Sequence, residues 1–107
     1  METIHGKVRE FNGRVARDRK LASELEGVRR TILLDMGARR LTLELRDKRL
    51  GVIDDVEKPD IRVATTEDVL VGIFRGDISP MRAMLVDRTL KVEASLEDKL
   101  RLKKLFQ

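Results

Sequence analysis

Cysteine is missing from this chain, and with it go a disulfide framework, a thiolate metal site and a cysteine nucleophile. Tryptophan and tyrosine are missing as well. The three phenylalanines, Phe11, Phe74 and Phe106, fall on apolar helical stripes, so the stacking platform of a single-strand nucleic-acid binder is lacking. The one histidine, His5, has no second histidine with which to hold a metal at ordinary spacing. No apolar run approaches the roughly 20 residues that cross a bilayer, and the opening Met1-Glu2-Thr3-Ile4-His5-Gly6-Lys7 lacks the apolar centre of a signal peptide. A cytoplasmic protein is the expectation. Side-chain amides are reduced to Asn12 and Gln107.

What is abundant is mixed charge. Charged residues make up 39% of the 107, with 23 Lys and Arg against 19 Asp and Glu, for a net charge of +4. This excess is modest and dispersed, so anionic partners are allowed without being required. Much charge with few thermolabile amides is a hyperthermophile pattern, and a thermostable protein is expected. The length suits one domain, residues 1–107, burying roughly two thirds of the surface its unfolded chain exposes.

Catalytic material is sparse. Ser23, Ser79 and Ser95 carry no activating signature, and Ser79, just before Pro80, reads as a helix cap. The acidic group Asp54, Asp55, Glu57 and Asp60 lacks the spacing of a calcium loop and reads as a solvated connector. Gly51, Gly72 and Gly76 match no phosphate-binding spacing. A basic hairpin surface at Arg29-Arg30, Arg39-Arg40, Arg46, Lys48 and Arg49 is interrupted by Asp35, Glu44 and Asp47. Neither an enzyme nor a nucleic-acid binder is expected, and no cofactor or metal is implied.

Apolar periodicity supplies the elements. Residues 1–26 carry Ile4, Val8, Phe11, Val15, Ala22 and Leu25 at helical steps with basic residues between, an amphipathic helix with a possible break at Asn12-Gly13. Such a helix packs on a sheet or, alternatively, rests on anionic lipid headgroups. Residues 28–36 alternate as a strand, with Arg30 interrupting its apolar row. Gly37-Ala38-Arg39 turns into a second strand of Leu41, Leu43 and Leu45, and Leu50 to Ile53 makes a third in meander order. Ile61 and Val63 begin a fourth strand. Thr66 caps a helix with Glu67 and Asp68 in its first turn, Gly76 ends it, and Ser79-Pro80 starts the next, where Met81, Met84 and Leu85 are expected to face inward. Leu90, Val92 and Ala94 give a fifth strand, and Leu96, Leu100 and Leu105 a terminal helix.

Val69, Leu70, Ile73, Phe74, Met81, Met84, Leu85, Leu100 and Phe106 gather on these stripes as the candidate lining of an apolar interior. Periodicity does not separate a packed core from a lipid-sized cavity.

The run Glu67-Asp68-Val69, then Gly76, Ile78 and Pro80, then Leu90-Lys91-Val92, then Leu105-Phe106 resembles the sterol carrier protein type 2 domain family, loosely from Val28 and specifically from Ile61 onward. Two positions depart from its pattern. Asp87 and Arg88 stand where a glycine is usual before the last strand, and Ala94 replaces a second glycine. The resemblance implies an α+β fold, a five-stranded mostly antiparallel sheet covered by helices around an apolar tunnel or core. It implies carriage of a lipid or fatty acyl ligand without chemistry, with transient contact to an anionic membrane surface. An alternative implication is a homodimerising or substrate-presenting module of a lipid-related enzyme.

Overall fold

The computed structural model describes residues 2–105, with backbone alone at positions 2, 3, 74 and 102–105. Along the chain come α1 (Glu2–Arg17), α2 (Arg19–Glu24), β1 (Arg30–Asp35), β2 (Arg40–Arg46), β3 (Arg49–Ile53), β4 (Ile61–Ala64), α3 (Glu67–Phe74), α4 (Pro80–Leu85), β5 (Lys91–Glu93) and α5 (Leu96–Leu105). The strands form one sheet in the order β3-β2-β1-β4-β5. β1, β2 and β3 are the expected antiparallel meander, β4 joins β1 in parallel, and β5 closes the far edge antiparallel to β4.

Register turns the sequence alternation into two faces. Ile32 lies between Leu43 and Ile61, Leu34 between Leu41 and Val63, and Val63 opposite Val92, so one face is an apolar layer that ends at Arg30, opposite Leu45. The other carries Thr31, Leu33, Asp35, Thr42 and Glu44. Because β4 lies beyond β2 and β1, residues 54–60 must cross this second face to reach it. The crossing covers Leu33 and Thr42, which are only 6% and 2% exposed. Two of its carboxylates fasten it: Asp55 accepts from the Thr42 hydroxyl at 2.9 Å, and Asp60 accepts from the Thr31 N–H at 2.8 Å. The acidic connector is thus a strap tied to the sheet as well as a solvated loop.

Helix α1 runs through Asn12-Gly13 without breaking. Its stripe of Ile4, Val8, Phe11 and Val15 packs on the sheet, with Ile4 and Val15 at 1% and 5% exposure. The apolar stripe, which the sequence also allowed to rest on lipid, is therefore turned inward. The break comes at Asp18, whose extended backbone and side chain, accepting from the Leu21 N–H at 3.2 Å, cap α2.

Thr66 caps α3 as expected, accepting from the Val69 N–H at 3.2 Å. At the other end Gly76 takes φ +81, and the N–H groups of Gly76 and Asp77 donate to the carbonyls of Ile73 and Gly72. This pair of bonds is a Schellman closure, and it folds Ile78 back onto the helix. A Cβ at Gly72 would stand 2.4 Å from Ile78 Cδ1, so that close approach requires glycine. Ser79 then caps α4 with Pro80 in its first turn, again as read. Arg88, in the turn where the resemblance implies glycine, adopts the left-handed region at φ 55.

Candidate functional site

The apolar face of the sheet lies beneath α1, α3 and α4. Its buried members are Ile4, Ile32, Leu34, Met36, Leu43, Ile61, Val63, Leu70, Ala83 and Leu90, with Val69, Ile73 and Ile78 packed against them. None of these side chains is polar. The two buried polar residues among those described lie elsewhere: Thr42 is under the strap, and Asp98 is on α5. Every buried side-chain nitrogen or oxygen that is described has a hydrogen-bond partner. The layer offers a ligand apolar contact, with fixed charge at its margin where Arg30 pairs with Asp98.

The candidate lining residues divide on this geometry. Leu70 is buried at 3%, Val69 and Ile73 pack against the cluster, and Met84 is half-buried. Met81 and Leu85 do not face inward as expected, being 47% and 64% exposed. The reason is the register of a short helix. Ser79 and Pro80 fix where α4 begins, and that phase points Ala83, at 0% exposure, into the layer. Leu100 on α5 is also outward, at 55%. Of Phe74 only the backbone is described, in α3, and Phe106 lies outside the described residues. Ala83 and Leu90 were missing from the candidate set; Ala83 O accepts from the N–H groups of both Thr89 and Leu90, which ties the two together.

Of two clefts open to solvent, of about 480 and 520 Å³, the first lies apart from this layer and the second touches it only at Ile78. One is lined by Glu26–Arg29 and Arg46–Lys48, the other by Glu67, Asp68, Val71, Gly72, Arg75, Asp77 and Ile78. Neither contains a candidate lining residue, and both are rimmed by charge of both signs. Among the described residues no three His, Cys, Asp or Glu side chains converge as metal ligands, and no helix is long and apolar enough to cross a membrane. His5 is half-buried within α1.

Helix α5 is joined to the sheet by charge. The Asp98 carboxylate, 7% exposed, accepts from Arg30 Nε at 3.0 and 3.2 Å through its two oxygens and from Arg101 at 2.5 Å, while Arg101 also reaches Glu97 at 3.1 Å. Ser95 caps the helix by accepting from the Asp98 N–H at 3.1 Å. Arg30 sits at the row where β1 faces Leu45 of β2, the position that interrupts the apolar pattern of the first strand. That interruption was visible in the sequence; its partner, 68 residues away, was not.

Comparison with known proteins adds the following. The model of the SCP-2 sterol transfer family matches residues 8–107. No curated protein matches the chain. Among solved structures, the fold is similar to sterol carrier protein domain 2 of Helicoverpa armigera, at 15% identity and a TM-score of 0.68 over 97% of this chain and 85% of that one. It is also similar to a palmitated SCP2L2 from Aedes aegypti, at 13% identity and a TM-score of 0.66 over 100% and 94% of the two chains. A stereoselective inverting sec-alkylsulfatase from Pseudomonas sp. matches over 78% of this chain at 20% identity and a TM-score of 0.62. This chain spans only 13% of that sulfatase's length.

Proposed function

The chain belongs to the SCP-2 sterol transfer family, and from that premise we propose that it holds a lipid or fatty acyl ligand in the apolar layer between the sheet and helices α3 and α4, without catalysing a reaction on it. One observation carries this reading: among the described residues only Thr42 and Asp98 are buried polar side chains, the first under the strap and the second at the margin with Arg30, so the buried layer between them is apolar. A methylene chain gains there from burial. The palmitate on the Aedes aegypti neighbour is a ligand of this class.

Burial supplies about 0.8 kcal/mol per methylene, so about ten methylenes contribute roughly 8 kcal/mol before the cost of ordering the chain. Entry of a ligand has to part the side chains that pack together in this layer. Leu70, Val69, Ile73 and Met84 form the wall in this reading. Met84 suits the opening, since an unbranched thioether repacks at little cost. Met81, Leu85 and Leu100 turn outward and belong to the entry side. The cytoplasm is the compartment we assign to the carrier, which cell fractionation checks; light scattering decides whether the unit is a monomer or the homodimer that the family resemblance also allows.

The test is uptake of labelled palmitate by Met84→Glu. A variant that keeps the wild-type circular dichroism spectrum should lose uptake, because the carboxylate would have to be buried against the acyl chain. Full uptake by the folded variant would place the ligand elsewhere.

A further inference from the structure

Asn12 is one of two side-chain amides in the chain, and the residue after it is glycine. Packing does not require that glycine, since a Cβ at position 13 would meet nothing within 4 Å. In the interior of α1 it is also a poorer helix former than alanine. What glycine supplies is an unhindered nucleophile, and asparagine followed by glycine is the sequence that loses its side-chain amide most readily. The Gly13 main-chain nitrogen attacks Asn12 Cγ, the Cγ–Nδ2 bond breaks, and ammonia leaves carrying the proton given up by the Gly13 nitrogen. Water then opens the resulting succinimide at either carbonyl, leaving aspartate or isoaspartate.

The fold holds both reacting groups out of this reaction. Helix α1 runs from Glu2 to Arg17, so the Gly13 N–H is committed to the ladder of bonds from residue i to i−4, and ring closure has to break that geometry. Nδ2, the leaving group, donates to Leu50 O at 2.8 Å, and Oδ1 accepts from the Leu50 N–H at 2.7 Å, which fixes the side chain on β3. Both constraints are released together when α1 lifts off the sheet edge. We infer that Asn12 is a deamidation site gated by the opening of α1, and that its conversion makes the opening permanent. Ionised aspartate accepts hydrogen bonds and donates none, so it sets a carboxylate oxygen against Leu50 O where the amide donated. Isoaspartate adds a main-chain atom to the helix and breaks its i to i−4 register. Either product leaves Leu50 O on the edge of β3 without its donor. Ile4 and Val15 of α1, 1% and 5% exposed, lie one in each buried cluster, so a helix that does not redock uncovers both. Water is the co-reactant, and the site acts whether or not a ligand is held.

The test follows the full chain at mildly alkaline pH, folded and in urea, with trypsin releasing Glu10–Arg14 as the peptide whose mass reports the change of Asn12 from amide to acid. Conversion in the folded chain should be at least about tenfold slower than in urea, and in sub-denaturing urea it should rise in step with hydrogen exchange of the α1 amides. After urea is removed, chains that still carry Asn12 should regain α1 protection, and converted chains should not. Gly13→Ala hinders the attack without a clash in the fold, so it should convert far more slowly in urea and regain protection after the same treatment. Equal rates in folded and urea-treated wild type would overturn the gating, and a Glu10–Arg14 peptide that stays unconverted in urea would overturn the site. Converted chains that recover α1 protection would overturn the permanent opening, as would Gly13→Ala chains that lose protection to the same extent as wild type.

Discussion

An asparagine inside a helix lowers helix propensity, and Asn12 offsets this by closing two hydrogen bonds on one residue of the sheet edge. Its amide nitrogen donates to Leu50 O at 2.8 Å and its carbonyl oxygen accepts from the Leu50 N–H at 2.7 Å. Those backbone groups point off the edge of β3, where another chain would otherwise pair. Asn12→Ala should therefore lower stability by about 1–2 kcal/mol, after allowing for the better helix propensity of alanine. Urea denaturation checks this, and an unchanged midpoint would show that the bridge contributes nothing. The residue itself was legible as one of only two amides in the chain, but local dipeptide chemistry read Asn12-Gly13 as a turn. The signal that decides it is a contact 38 residues away, which no local pattern contains.

Among the elements, α5 is the one whose attachment differs in kind. The helices α1 and α3 are held by buried apolar stripes, whereas the buried side chain described on α5 is Asp98. Removing one member of a buried ion pair usually costs about 3–5 kcal/mol, and less where the remaining partner regains water. The Arg30 and Arg101 side chains are 32% and 21% exposed, so Asp98→Ala should cost about 2 kcal/mol. Hydrogen exchange locates the effect: the amides of α5 should lose protection while those of β1 and β2 keep theirs. Protection of α5 at the wild-type level would mean that other contacts anchor it. Element identity was well marked in the sequence, because Thr66, Gly76, Ser79 and Pro80 cap and end helices by local chemistry. Facing was less legible for α4, where a helix of six residues gives too little period to fix its inward side. The parallel place of β4 beside β1 also follows from the strap of residues 54–60, whose ties to Thr31 and Thr42 have no sequence signature.

At the scale of the whole molecule, the chain combines a charge-rich surface with a wholly apolar layer. Ion pairs here include a connected set, Arg30–Asp98–Arg101–Glu97, of the kind that contributes more as temperature rises. A melting temperature above about 65 °C, the upper end for mesophile domains, is expected, and calorimetry showing one within the mesophile range would remove the thermostable reading. Whether the interior is core or carrier was undecided in the alternation of apolar residues, since both use the same side chains. The answer depends on whether Leu70, Ile73 and Met84 part for a guest. Native mass spectrometry of freshly purified protein, followed by organic extraction and lipid analysis, tests this most directly. A one-to-one adduct that extracts as fatty acid or another acyl lipid is the expected result. A ligand-free mass that stays ligand-free after incubation with fatty acids and acyl-CoA would contradict carriage and leave the layer as a packed core.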